Sequence, residues 1–236
     1  MSGKASNPAT RLPSRLNLGV LVSGRGSTLQ ALIDACAAPD YPARIVLVLS
    51  NVASAAALER AAKAGIATAV LEHKTFPSRE VFDEAMRARL VAAGADLVCL
   101  AGFMRLLSPA FVEAFAGRLI NIHPSLLPAF PGLHVHENVL ASGVRFTGCS
   151  VHFVSAEMDA GPIIVQAAVP VDPSDTAESL GARVIGAEHQ CYPLAVRWIA
   201  EGRVRINGVR VEVDGAAAAA APLINPQPTS SISAKK

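Results

Sequence analysis

Residues Leu16–Ser50 read LNLGVLVSGRGSTLQALIDACAAPDYPARIVLVLS, and this stretch decides the fold class. Leu16–Val22 is a short apolar run that stops at Ser23-Gly24-Arg25-Gly26-Ser27. Thr28–Cys36 then places Leu29, Leu32, Ile33 and Cys36 on one face at helical spacing. Arg44–Ser50 is a near-continuous run of Leu and β-branched residues, the pattern of a strand buried on both faces. Strand, glycine turn, helix and buried strand make a βαβ unit, which calls for parallel pairing and a right-handed crossover.

The alternation continues outward from this unit. Ser54–Ala64 reads as a helix stopped by Gly65, Ile66–Leu71 as a strand, and Ser78–Ala93 as an amphipathic helix with Val81, Phe82, Ala85 and Leu90 inward. Asp96–Ala101 and Arg118–Ile122 are further buried strands separated by a short helix, Pro109–Phe115. After Pro124 the pattern changes to a loop-rich stretch with one helix, His134–Ala141. Two longer strands, Thr147–Ser155 and Pro162–Pro170, precede a long helix, Thr176–Glu201, with Leu180, Val184, Ala187, Cys191, Leu194 and Trp198 on one stripe. Arg203–Ile206 and Val209–Val213 flank Asn207-Gly208, the signature of a type I′ hairpin. The expected fold is α/β: a mostly parallel, Rossmann-like open sheet with helices on both faces, a long C-terminal helix and a β-hairpin. One folded unit is expected over 18–213, between a flexible extension (1–17) and a disordered Ala/Pro/Ser tail (214–236).

Composition narrows the function classes. Of 236 residues, 51% are hydrophobic and 17% charged, and the formal net charge is +2. That balance supplies a large core and argues against nucleic acid as the main partner, since phosphate neutralisation needs a basic face. The longest charge-free stretches, Leu119–His136 and Gly215–Ala234, are broken by prolines, so no membrane span is expected. Met1–Asn17 lacks the apolar segment of a secretory signal. Cys36, Cys99, Cys149 and Cys191 form no CxxC pair, which fits buried thiols in a reducing, cytoplasmic setting and no zinc site.

Three segments could carry chemistry. Ser23–Thr28 (SGRGST) is a glycine-rich loop entering a helix, where the N–H groups of Gly26, Ser27 and Thr28 can meet a phosphate. It is neither G-x-G-x-x-G nor a P-loop, and it could equally be a tight turn capped by Ser27. Asn121 and His123 lie at the carboxyl end of a buried parallel strand, where open α/β sheets bind ligands, and alternation points both side chains to one face. Pro124 holds His123 extended and ends the strand. Ser155–Pro162 (SAEMDAGP) offers a carboxylate, Asp159 or alternatively Glu157, to orient a histidine and favour its charged form. Arg79, Arg105 and Glu188 are further polar residues that could face a cleft or simply be solvated.

With these residues in view, the chain resembles the phosphoribosylglycinamide formyltransferases of the folate-dependent formyltransferase superfamily. The resemblance runs from about Leu18 to Val213. Its most specific blocks are Asn121–Pro128 (NIHPSLLP) and Asp159–Gln166 (DAGPIIVQ), with Ser23–Gln30, Ala101–Ser108, Gly132-Leu133-His134, Gly148–Phe153, Glu188-His189 and Tyr192-Pro193 in support. The resemblance implies formyl transfer from 10-formyltetrahydrofolate to the amine of 5′-phosphoribosylglycinamide in purine biosynthesis. It needs no metal, and its enzymes are cytoplasmic monomers or homodimers. It implies Asn121, His123 and Asp159 as catalytic residues. It implies that Gly26, Ser27, Thr28, Ile185, Gly186, Ala187 and Glu188 bind the ribonucleotide. Arg79, Met104, Arg105, Leu106, Leu107 and Asn121, with the Ser155, Ala156, Glu157, Met158 and Asp159 loop, are implied to bind the folate. Many relatives have Asn where Thr28 stands, so a side-chain amide contact to the phosphate is not expected here. A methionyl-tRNA formyltransferase would carry a further C-terminal domain and a basic surface. A formyltetrahydrofolate hydrolase would carry an N-terminal regulatory domain. A non-catalytic ligand-binding relative would lack the Asn/His/Asp trio.

Overall fold

The structure, a computed structural model, describes residues 15–226. Most of the expected extension (1–14) and the end of the expected tail (227–236) lie outside the described residues. The chain alternates strand and helix: β1 (Leu16–Val22), α1 (Ser27–Ala37), β2 (Ala43–Ser50), α2 (Ala56–Lys63), β3 (Thr68–Val70), α3 (Arg79–Ala92), β4 (Leu97–Leu100), α4 (Pro109–Ala114) and β5 (Leu119–His123). Then follow α5 (Val135–Ser142), β6 (Phe146–Phe153), β7 (Ile163–Pro170), α6 (Ala177–Ala200), β8 (Val204–Asn207) and β9 (Arg210–Val213).

A seven-stranded sheet has the order β3-β2-β1-β4-β5-β6-β7. β1 to β5 pair in parallel, and β6 is antiparallel to both β5 and β7. The order reverses between β1 and β4, so their carboxyl ends flank the crevice where open α/β sheets take ligands. The glycine loop leaves β1 at that edge, Phe103–Leu107 leaves β4, and Asn121 and His123 end β5.

Period-two alternation splits β1 between two cores. Leu18, Val20 and Val22 pack with Leu29, Leu32, Leu180 and Val184 on one face, while Leu21 joins Phe82, Met86, Leu90 and Phe115 on the other. Helices therefore cover both faces, as the sequence pattern requires. α6 starts at a capping box between Thr176 and Ser179. It is stitched to the sheet centre by the Tyr192 hydroxyl, 2.9 Å from the Leu100 carbonyl and 3.1 Å from that of Ile120. Glu188 lies one turn before Tyr192 and so faces the sheet as well.

Several details differ from the sequence reading. Val81, read as inward on α3, and Leu194, read as part of the α6 stripe, are exposed. The hairpin turns on Gly208-Val209, because Asn207 pairs with Arg210 inside the ladder. Gly208 has φ +60° and Asn207 and Val209 stay out of the left-handed region, the type II′ rather than type I′ pattern. The stretch read as a solvated tail has an anchor: the Asn225 amide donates to the carbonyls of Arg145 (2.6 Å) and Val171 (3.1 Å). Among the described residues no helix is long and apolar enough to cross a membrane.

Candidate active site

β5 delivers Asn121 and His123 to one face of the sheet, as expected. Asp159 reaches them from the loop between β6 and β7. Its Oδ2 lies 3.4 Å from His123 Nδ1, and its Oδ1 lies 3.9 Å from His152 Nε2. Oδ2 also accepts the Gly132 N–H at 2.9 Å, which ties the loop after β5 to the loop after β6. Asp159 holds φ +53°, a left-handed conformation that Asp tolerates better than most residues and that marks functional turns. His123 Nε2 lies 2.9 Å from the Phe130 carbonyl. A carbonyl only accepts, so this nitrogen carries a proton.

The same reasoning fixes His152, a residue absent from the expected site. Its Nδ1 lies 2.9 Å from the Phe153 carbonyl and therefore bears the proton. Nε2 then offers a lone pair to Asn121 Nδ2 at 3.3 Å. Burial, the largest influence on His152, pushes its pKa below that of an ordinary imidazole and keeps the ring neutral. A neutral acceptor thus fixes which end of the Asn121 amide is nitrogen and leaves a second N–H to donate. The sequence signal was a histidine inside an apolar strand. Its use depends on the antiparallel register that sets Asn121 opposite His152, which spacing alone does not reveal.

Polar staples hold the loop after β5. Ser150 Oγ donates to the Ser125 carbonyl (2.7 Å) and accepts the Leu127 N–H (3.0 Å). Gln166 Nε2 donates to the Leu127 carbonyl (3.0 Å) and to Ser150 Oγ (2.8 Å), so the last residue of DAGPIIVQ supports the first block rather than a substrate. Gly161 is required because a Cβ there would sit 1.8 Å from the Phe153 carbonyl oxygen.

At the other end of the edge, Gly26 caps α1 in the left-handed region at φ +73°. Thr28 Oγ1 donates to Glu188 Oε2 at 3.3 Å, so the fold brings together the loop and the α6 segment that the sequence reading paired only by resemblance. Glu188 is buried, and desolvation raises its pKa from 4.5 to about 7 against the lowering effect of Thr28. Ile185 and Ala187 are half-buried and Gly186 exposed on the same helix.

The residues expected around a folate are less tightly gathered. Phe103–Leu107 is tied to the glycine loop, since Ser23 Oγ accepts the Met104 N–H at 2.8 Å and donates to Asn51 Oδ1 at 2.6 Å. Met104, Leu106 and Met158 are exposed apolar side chains, Leu107 packs against the core, and Arg105 is exposed. Ser155 turns its loop by donating to the Glu157 carbonyl (2.9 Å), leaving Ala156 and Glu157 exposed. Arg79 opens α3, exposed, 3.6 Å from Glu80, and among the described residues no contact joins it to the trio. Met158 lies beside Gly132, where a Cβ would come within 3.7 Å of its Cε.

The family model described as formyl transferase matches residues 16–196. The chain belongs to the formyl transferase family. This formyl transferase is 49% identical over 200 residues to the phosphoribosylglycinamide formyltransferase of Escherichia coli, covering 85% of this chain and 94% of that one. It is 49% identical over 205 residues to the trifunctional purine biosynthetic protein adenosine-3 of Bos taurus, covering 87% of this chain but only 20% of that protein's length. Among solved structures, glycinamide ribonucleotide transformylase 1 from Symbiobacterium toebii superposes with a TM-score of 0.83 at 50% identity, covering 84% of this chain and 94% of the other.

Proposed function

We propose that this formyl transferase moves the formyl group of 10-formyltetrahydrofolate to the amine of 5′-phosphoribosylglycinamide, giving formylglycinamide ribonucleotide and tetrahydrofolate in purine biosynthesis. The observation that carries this reading is the convergence of Asn121, His123 and Asp159 on the sheet edge that also bears the glycine loop. The amine attacks the formyl carbon and negative charge develops on the formyl oxygen. Asn121, oriented by neutral His152, aims its free N–H at that oxygen. His123 rests its Nε2–H on the Phe130 carbonyl until the oxyanion, a stronger acceptor, is present. Asp159 Oδ2, 3.4 Å from Nδ1, orients the ring so that its Nε2–H can serve the oxyanion and the departing nitrogen.

The phosphate sits on the N–H groups of Gly26, Ser27 and Thr28, and Glu188 takes a hydroxyl or the amine of the ribonucleotide. Met104–Leu107, Ser155–Met158 and Arg79 receive the folate. As the bond to the folate nitrogen breaks, the attacking amine's proton passes to the Asp159–His123 pair and replaces the one given to the departing nitrogen. The enzyme acts as a monomer or homodimer in the cytoplasm. Purified protein should convert 10-formyltetrahydrofolate to tetrahydrofolate only when the ribonucleotide is added. Equal turnover without the acceptor would instead make it a hydrolase.

A further inference from the structure

The glycine loop does not hold its own shape. The first two turns of α2 hold it from behind. The Ala57 N–H donates to the Gly24 carbonyl at 3.1 Å. Arg60 Nε donates to the Arg25 carbonyl at 2.9 Å, and its Nη1 donates to Gln30 Oε1 on α1 at 3.2 Å. Gly26 lies against the same surface, where a Cβ would come within 2.6 Å of Ala57 Cβ and 3.4 Å of Arg60 Cδ.

Peptide planarity turns these contacts into a directional device. In a trans peptide the N–H points opposite to the C=O. A Gly24 carbonyl turned toward α2 sends the Arg25 N–H the other way. An Arg25 carbonyl turned toward Arg60 does the same for the Gly26 N–H. The guanidinium fork spans the loop carbonyl and the Gln30 side chain at once, which a lysine ammonium on a flexible stem does not reproduce. It thereby sets the loop's angle to the first turn of α1, whose Ser27 and Thr28 N–H groups complete the cradle.

We infer that Arg60 is a positioning residue for the substrate's phosphate: without being in the cradle, it fixes the orientation of the Arg25–Gly26 peptide whose N–H faces the anion. The inference rests on the proposed phosphate role of the glycine loop. Its test compares two acceptors, glycinamide ribonucleotide and the riboside that lacks the phosphate, in wild type, Arg60→Ala and Arg60→Lys. Loss of a charged hydrogen bond predicts about a tenfold rise in the ribonucleotide KM for Arg60→Ala. The kcat stays within about twofold, and kcat/KM for the riboside is unchanged. Arg60→Lys recovers less than half of the loss. Calorimetric binding of the ribonucleotide should weaken by the same factor, a readout that does not depend on turnover.

Equal losses on ribonucleotide and riboside would reduce Arg60 to a structural role and overturn the inference. Unchanged ribonucleotide binding in Arg60→Ala would do the same. Failure of the functional reading looks different: wild type itself would then show no formyl transfer, or no preference for the phosphorylated acceptor.

Discussion

The two ends of the sheet edge are built from opposite materials. At the glycine loop the atoms proposed to bind substrate are backbone N–H groups, Gly24 and Arg25 are exposed, and the side chains that hold the loop, Ala57 and Arg60, stand behind it. At the end of β5 the atoms proposed to do the chemistry are side-chain nitrogens and oxygens. His123 and His152 are only 5% and 2% exposed, and their ring nitrogens face hydrogen-bond or ion-pair partners on neighbouring loops and strands. A site made of backbone should tolerate side-chain exchange but not loss of a glycine. A site made of side chains behaves the other way. Binding should therefore be lost at one end and turnover at the other.

The largest effects are expected in the buried cluster. His123→Ala or Asp159→Ala should lower kcat by at least about 10²–10³-fold while the near-ultraviolet circular dichroism stays native. Near-wild-type turnover in either variant removes the trio from the chemistry. Next comes a paired glycine test. Gly26→Ala meets Ala57 in a left-handed backbone and should raise the ribonucleotide KM by roughly tenfold or more, at a stability cost of about 1–3 kcal/mol. Gly24→Ala has open space at its Cβ and should stay within about twofold. If kinetics find the two alanine variants alike, the close approach of α2 is not what shapes the loop.

His152→Leu removes the acceptor that orients Asn121 and should cost about tenfold in kcat. It also carries a pH signature. The folded ring binds its proton less well than the ordinary imidazole pKa of 6.5 implies, so its stabilising effect is present above that pH and is lost as pH falls below it. Thermal melts between about pH 7 and 5 should fall less steeply for His152→Leu than for wild type, and parallel curves would mean that the ring binds its proton equally well folded and unfolded. The smallest effect belongs to Glu188. Its folded pKa of about 7 lies above the ordinary 4.5, so its favourable share is complete below 4.5 and is lost as pH rises through 7. Glu188→Gln should melt higher than wild type at about pH 8, with the gap closing toward pH 5. A constant gap would place the carboxyl in water.

Legibility follows the same division. The alternating apolar runs of Leu16–Ile122 predict the parallel half of the sheet because strands buried on both faces leave a strong local pattern. Asn121, His123 and Asp159 stand out as polar residues at strand ends and proline-bounded turns. The roles of His152, Gln166 and Arg60 were not legible. Each depends on an approach between elements far apart in sequence: β5 against β6, β7 against the loop after β5, and α2 against the glycine loop. Local spacing likewise put the hairpin turn one residue early, because Asn-Gly favours a turn that the β8–β9 register does not use.

The most direct test of this division of labour within one formyl transfer follows the formyl group itself. With 10-formyltetrahydrofolate labelled in the formyl carbon, wild-type protein should place the label in the glycinamide ribonucleotide, one for one with tetrahydrofolate released. Label recovered as free formate, at the same rate with or without the ribonucleotide, would contradict it.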